Sequence, residues 1–430
     1  MEISVNLEKL AKQFKKEKLY IVGGWVRDSL LGLEPKDIDI TSATSISTVM
    51  TICEKLKYKC TIINKKLGTL AISKDGEVYE YTQFRKESYN LSGTHSPDEI
   101  EFVKDIESDS LRRDITINAM YYDILTGEIV DPRHGQKDLE NKIIRTCNSP
   151  NITLKDDGLR ILRIIRFASL LNFKISKQTY HYMKVFASHL TLISKERILK
   201  EIDALVSSDL VYNNKNQIFL NSLKNLKLVP FIFNSTLTRM KSFDKTDIEN
   251  FYNLNILSRK IGFYFLIIKN YLKKYTSESQ LFYAVNMLLG RDGIKESTST
   301  INLCEKLFTI YQNLNYNHDI TNATINYLTL SDSEREIVYT NLNKKSKTIL
   351  SDNISLVKSH NLPLSVHELD ISSQDLIDNK IDRKYISKIL STLYNQVIEM
   401  KVKNQKDDLI KLAIDIDKNL KELIKEHLWK

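Results

Sequence analysis

Along the first 145 residues the apolar positions come in short, alternating runs broken by polar turns. This period of two predicts strands over residues 19–22, 37–41, 60–64, 69–73, 78–84 and 100–103. The tetrapeptide Lys74-Asp75-Gly76-Glu77 reads as the turn of a hairpin. Residues 115–131 read as a helix running into strand, turn and strand, with Thr126-Gly127 at the turn. From Lys155 onward the apolar period becomes helical almost throughout. Residues 260–272 are continuously apolar enough for a buried helix, but shorter than the roughly 18 residues of a membrane span. In the last helix Leu409, Leu412, Ile416, Leu420 and Leu423 fall on one face, a core-facing or self-packing stripe. The pattern predicts a mixed α+β head followed by a long helical remainder.

The chain has 430 residues, too many for one core, so two to four domains are expected. Gly (12) and Pro (6) are scarce, which suits a mostly helical protein. The formal charge of +9 favours an anionic partner such as nucleic acid or nucleotide, although Lys is abundant everywhere and charge alone does not decide it. Cys53, Cys60, Cys147 and Cys304 form no CxxC pair and read as reduced thiols of a cytoplasmic protein. The N-terminal stretch is amphipathic and lacks the apolar core of a signal peptide.

The chemistry concentrates in three stretches. In residues 20–42, YIVGGWVRDSLLGLEPKDIDITS, a strand meets Gly23-Gly24 and then a helix over 25–31. Glycines let backbone approach a phosphate, the helix start offers free N–H groups, and Arg27 adds a cation. A Gly-Gly turn alone is weak evidence. Asp37 and Asp39 strengthen it, because strand residues two apart point to the same face. Two carboxylates side by side repel unless a cation intervenes, and Mg²⁺ suits such oxygen ligands. Glu80, on a later strand, is the candidate third acid of a two-metal site, although an exposed strand glutamate is common. Asp28, on the helix, is expected to pair locally.

The second stretch, residues 112–120, is RRDITINAM. Arg113 suits a phosphate, while Asp114 and Asn118, four apart on the expected helix, suit ribose hydroxyls. A helix cap with an exposed basic pair is the plainer alternative. The third stretch, residues 156–167, is DDGLRILRIIRF, with Arg160, Arg163 and Arg166 at every third position among apolar residues. Asp157 and Arg160 together offer an acceptor and a donor array. Cytosine and adenine present an amino donor beside a ring acceptor, so this pair would select C and A over U and G. Gly158, read as helical, should cost about 1 kcal/mol relative to Ala.

In this order the three motifs closely resemble the class II tRNA nucleotidyltransferases, the bacterial-type CCA-adding enzymes that share their head with bacterial poly(A) polymerases. Weaker similarity runs through ISKERILKEIDALV (193–206) and LPLSVHELDISSQDLI (362–377). The resemblance implies a β-polymerase-like head with a small β-sheet (1–145), followed by an all-α neck (146–215), body (216–350) and tail (351–430). It implies metal-binding acids at Asp37 and Asp39, with Glu80 as the further strand acid. It implies nucleotide contacts at Gly23, Gly24, Arg27, Arg113, Asp114, Asn118, Asp157, Arg160, Arg163 and Arg166. The expected reaction is template-free, Mg²⁺-dependent addition of CCA to tRNA from CTP and ATP, with the tRNA acceptor stem and elbow held by body and tail. Two departures stand out: Asp156 where the family has Glu, and Ile115 where Phe or Leu is frequent. The polar segment 85–103, with Gly93, His95 and Pro97, is expected to be a mobile loop whose undiminished length favours full CCA addition. Alternatives are a poly(A) polymerase, a CC-only or A-only enzyme, or a catalytically silent RNA-binding protein. A fused phosphohydrolase is discounted because no HExxH motif occurs.

Overall fold

In the computed structural model, α1 (Val5–Ala11) is capped by the Ser4 hydroxyl, which accepts from the Leu7 N–H. The chain then enters β1 (Tyr20–Val22), turns at Gly23 and forms α2 (Gly24–Leu30). β2 (Ile38–Ser42), α3 (Ile46–Leu56), β3 (Lys59–Asn64), β4 (Thr69–Lys74) and β5 (Glu77–Gln83) follow. The structure describes residues 3–14, 17–35, 37–89, 99–214, 216–234, 243–272 and 274–427. It divides into two compact units, Met1–Ile248 with Met287–Glu296, and Glu249–Asn286 with Ser297–Lys430.

The first unit carries a seven-stranded mixed sheet of order β3-β4-β5-β2-β1-β8-β9, where β8 is Tyr121–Asp123 and β9 Ile129–Val130. Only β2 and β5 pair in parallel; the other neighbours are antiparallel. Alternation along β5 explains its orientation. Tyr79 and Tyr81 are fully buried, while Val78 and Glu80 face outward. On β2, Ile40 is fully buried and Asp39 opens to the other face. Each strand expected from the sequence is present, with ends shifted by one or two residues. The turn at Asp75-Gly76 joins β4 to β5 as expected.

Four expectations need correction. Residues 85–103 are paired at both ends: β6 (Arg85–Ser88) and β7 (Glu99–Phe102) form an antiparallel ladder, and Arg85 is buried. Gly93, His95 and Pro97 lie outside the described residues. The helix expected after Arg113 is only a 3-10 turn, Thr116–Asn118, following α4 (Ile106–Leu111). Ile115 is extended and bridges Thr146, and the Thr116 hydroxyl donates to Asp138. The run of β-branched residues here favours that extended, tertiary-pinned path. Asp114 and Asn118 therefore do not share a helix face. Third, Gly158 is not helical; it lies in the turn between α6 (Pro150–Asp156) and α7 (Arg160–Leu171), beyond α5 (Gly135–Glu140). A Cβ there would meet the His189 backbone at 2.8 Å, so close approach demands glycine. Finally, residues 146–215, expected to be all helical, contain one strand, β11 (Lys174–Ile175), which pairs in parallel with β10 (Ile143–Ile144).

α7 is fully buried at Ile161, Leu162, Ile164 and Ile165, so its arginines project from a helix fixed by its apolar face. It packs against α9 (Lys195–Leu205), which follows α8 (Lys177–Val185). In the second unit the helix Arg259–Leu272 buries Gly262 and Phe263 through Ile268, as its apolar run predicts. Among the described residues no helix is long and apolar enough to cross a membrane. At the C-terminal end Leu409 and Ala413 are fully buried with Ile389 and Leu393, and Leu412, Ile416 and Leu420 pack against them. The stripe is core-facing; the Leu423 side chain lies outside the described residues.

Candidate active site

The strand register brings the acids together. Asp39 lies opposite Val22 on one side and opposite Glu80 on the other. In a parallel pair, opposed residues share a face, so Asp39 and Glu80 are neighbours on the open side of the sheet. Asp37, two residues earlier, is exposed beside them. Gly23 follows Val22 directly, with φ 85° and ψ −134°, a backbone that side chains other than glycine rarely adopt. A Cβ on Gly23 would stand 3.5 Å from Asp39 Oδ2, so the glycine turn touches the acid strand.

Among the described residues no hydrogen bond or ion pair satisfies the carboxylates of Asp37, Asp39 or Glu80. Burial, then the Glu80 carboxylate, push the Asp39 carboxyl up to about 6; Arg113 opposes this and Asp37 adds to it. No group of three metal-ligating side chains is preassembled among the described residues. The donor set still fits Mg²⁺, which usually takes one or two carboxylates and keeps water and phosphate oxygens as its other ligands. The raised Asp39 marks a spot where a cation is wanted.

A cleft of about 740 Å³ opens above Asp39. Gly23, Gly24, Asp114, Asn118, Asp157 and Arg160 all line it. Seven arginines line it: Arg27, Arg85, Arg112, Arg113, Arg160, Arg163 and Arg197. Six of them meet a carboxylate. Arg27 forks onto Asp28 at 2.8 and 2.9 Å. Its Nη1 donates to Asn118 Oδ1 at 2.7 Å, and its guanidinium lies 5.3 Å from the Phe167 ring. Asp28 thus pairs locally, as expected. Arg163 donates to Asp114 Oδ2 at 2.7 and 2.9 Å; burial opposes ionisation of Asp114, but Arg163 holds its carboxyl below the usual range. Arg85 meets Glu87 at 2.8 Å, and Arg197 meets Asp157 at 3.2 Å. Arg112 and Arg113 share the buried Asp109.

Arg160 is held otherwise. It donates to the backbone carbonyls of Thr153 at 3.1 Å and Arg112 at 2.7 Å. Asp157 does not pair with it; one Asp157 oxygen accepts from the Leu159 N–H at 2.9 Å. Both side chains still border one cleft. Asp156 ends α6, with its carboxyl raised by burial. Arg166 is the predicted contact that the structure keeps out of the cleft. It pairs with Glu201 and stacks 4.4 Å from the Phe167 ring. Asp37 and Glu80 flank the cleft rather than line it.

Sequence reasoning missed Arg85, Glu87, Arg112, Phe167 and Arg197. For Arg112 the signal was its place beside Arg113. For Arg197 it was a cation on an amphipathic helix whose Ile198, Ile202 and Leu205 are buried. Arg85 carried no signal, because its cleft position depends on the unforeseen β6–β7 pairing.

Residues 19–145 match the family model described as "Poly A polymerase head domain", and residues 172–233 match "Probable RNA and SrmB- binding site of polymerase A". A protein of Bacillus pumilus named "CCA-adding enzyme" is 41% identical over 187 residues, covering 44% of this chain and 45% of the relative. The match thus spans about half the length of that relative. One of Staphylococcus saprophyticus with the same name is 29% identical over 417 residues, covering 94% of this chain and 96% of the relative. A solved structure, "Thermotoga maritima CCA-adding enzyme complexed with tRNA_CCA", superposes with a TM-score of 0.65 at 18% identity, covering 96% of this chain and 95% of that one. That likeness establishes the fold.

Proposed function

Because this chain belongs to the class II tRNA nucleotidyltransferase family, we propose that it adds CCA to the 3′ end of tRNA from CTP and ATP without a template, releasing pyrophosphate. The observation that carries this is the single cleft in which Asp39, a glycine turn and seven arginines converge. Such a cleft suits a triphosphate beside a carboxylate centre.

Asp37 and Asp39 would hold Mg²⁺, with Glu80 beside them as the further acid. Bound there, the metal supplies Lewis acidity to the attacking hydroxyl and the phosphate oxygens. The chain's own groups do the rest. Gly23 and Gly24 let backbone approach the triphosphate, and Arg27 and Arg113 offset its charge. Asp114 and Asn118 meet the ribose hydroxyls, which requires Asp114 to share itself between ribose and Arg163. Asp157 accepts from the base amino group. Arg160 has two of its five N–H groups on backbone carbonyls and donates others to the ring nitrogen. Arg166, outside the cleft, supports the nucleotide indirectly through Phe167. The head, neck, body and tail divide the chain near residues 145, 215 and 350, with body and tail taking the tRNA acceptor stem and elbow. The four cysteines are thiols, which accords with a cytoplasmic setting.

The test is a gel assay with purified protein, Mg²⁺ and tRNA transcripts ending before CCA, after C and after CC, each offered CTP, ATP or both. Extension by CCA and no further is the expected result. Long A tails would make the protein a poly(A) polymerase, and arrest at CC or addition of A alone a split-activity enzyme. Binding without extension would leave an RNA-binding protein.

A further inference from the structure

Asp109 lies outside every motif discussed so far, yet it is completely buried on α4. Its two oxygens collect donors from four residues. Oδ1 accepts the Arg85 backbone N–H at 3.1 Å and Arg112 Nε at 2.8 Å. Oδ2 accepts Arg113 Nε at 3.2 Å, Arg113 Nη2 at 3.1 Å and the Tyr121 hydroxyl at 2.7 Å. Tyr121 in turn accepts from Arg113 Nε at 2.9 Å, and the Arg113 guanidinium lies 5.1 Å from its ring. Arg113 is therefore gripped on its edge and its face. The reach of this carboxylate does not end there. The Arg112 backbone carbonyl receives Arg160, and Arg112 Nη1 also stands 3.8 Å from Glu87.

We propose that Asp109 is a positioning residue that sets the aim of the cleft: through Arg113 it orients the phosphate side, and through Arg112 it fixes the carbonyl that anchors Arg160 on the base side. The proposal rests on the reading of this cleft as a nucleoside triphosphate site. Two features favour it over a purely structural role. A buried carboxylate that only stabilised the fold needs one cation, whereas this one serves two cleft arginines and the first residue of β6. Its donors also saturate both oxygens, so neither arginine can swing without breaking the set.

The experiment measures CTP and ATP affinity by calorimetry, and KM and kcat in the transfer assay, for the full chain, Asp109→Asn and Tyr121→Phe. Asparagine keeps the shape but turns an NH₂ toward a guanidinium. The expected result is nucleotide affinity weakened about tenfold, with a matching rise in KM, and tRNA affinity within about twofold of the parent. A merely structural role would lower the active fraction and leave KM unchanged. Unchanged nucleotide affinity and KM in folded Asp109→Asn overturn the proposal. If Asp109→Asn does not fold, Tyr121→Phe decides: removal of the hydroxyl alone should weaken nucleotide binding about threefold, and no change overturns the proposal. A parent that neither binds nor transfers nucleotide refutes the proposed function itself; a competent parent with an indifferent Asp109→Asn refutes only this inference.

Discussion

Replacing Gly158 with Ala sets two arguments against each other with opposite signs. If this residue were helical, alanine would stabilise the protein by about 1 kcal/mol. In the structure a Cβ at this position would stand 2.8 Å from the carbonyl carbon and oxygen of His189 and 2.9 Å from its Cβ. Two of these neighbours are backbone, which cannot rotate away, so the turn or the His189 segment must shift. Overpacking of this kind costs about 1–3 kcal/mol. For a unit of this size that corresponds to a midpoint lowered by about 2–12 °C. The displaced turn leads directly into Arg160, so transfer should fall about tenfold or more as well, given how steeply misplacement of reacting groups lowers rates. Thermal unfolding followed by circular dichroism, with the tRNA extension assay on the same preparation, checks both. A raised midpoint with full activity would refute the steric argument and restore the helical reading.

Other consequences can be measured independently. The double variant Asp37→Ala, Asp39→Ala should lose at least about 10³-fold in transfer while keeping tRNA affinity within about twofold, read by gel extension and filter binding; substantial residual transfer in Mg²⁺ would count against these acids as the metal site. Burial opposes the charge on Asp109, but Arg112, Arg113, Tyr121 and the Arg85 N–H bring its carboxyl down to about 2. A carboxyl depressed on folding contributes stability that is complete above its unfolded value near 3.9 and lost as pH falls through about 2. Urea unfolding between pH 5 and pH 2 should therefore show roughly 2 kcal/mol of pH-dependent loss in the parent that is missing from Asp109→Asn; parallel profiles would contradict the assignment.

Much of the head could be read from the chain because its information is local. Alternation placed the strands, and with them Asp39 on the open face of β2, although Asp37 falls one residue before that strand begins. The pairing of Asp39 with Glu80 also needed the order of strands, which alternation does not encode. What escaped was set by distant partners. Thr116 is pinned by Asp138, and so a segment spaced like a helix became a single 3-10 turn. Gly158 answers to His189, thirty-one positions on, and its neighbours gave no hint of that. Arg166 kept the helical spacing of Arg160 and Arg163 but turns toward Glu201, because three-residue steps drift around a helix of 3.6 residues per turn.

The carboxylates that meet six of the seven cleft arginines change what binding means here. An arriving phosphate does not neutralise bare charge; it competes with an anion already in residence, and only a ligand matching several forks at once displaces them together. A lone inorganic anion gains little from that exchange. The same arrangement acts in reverse at departure, since each arginine returns to an internal partner instead of repelling its neighbours. Between occupants the cleft is its own counterion. Arg160, alone of the seven, rests on uncharged carbonyls, so no resident anion has to be displaced from it.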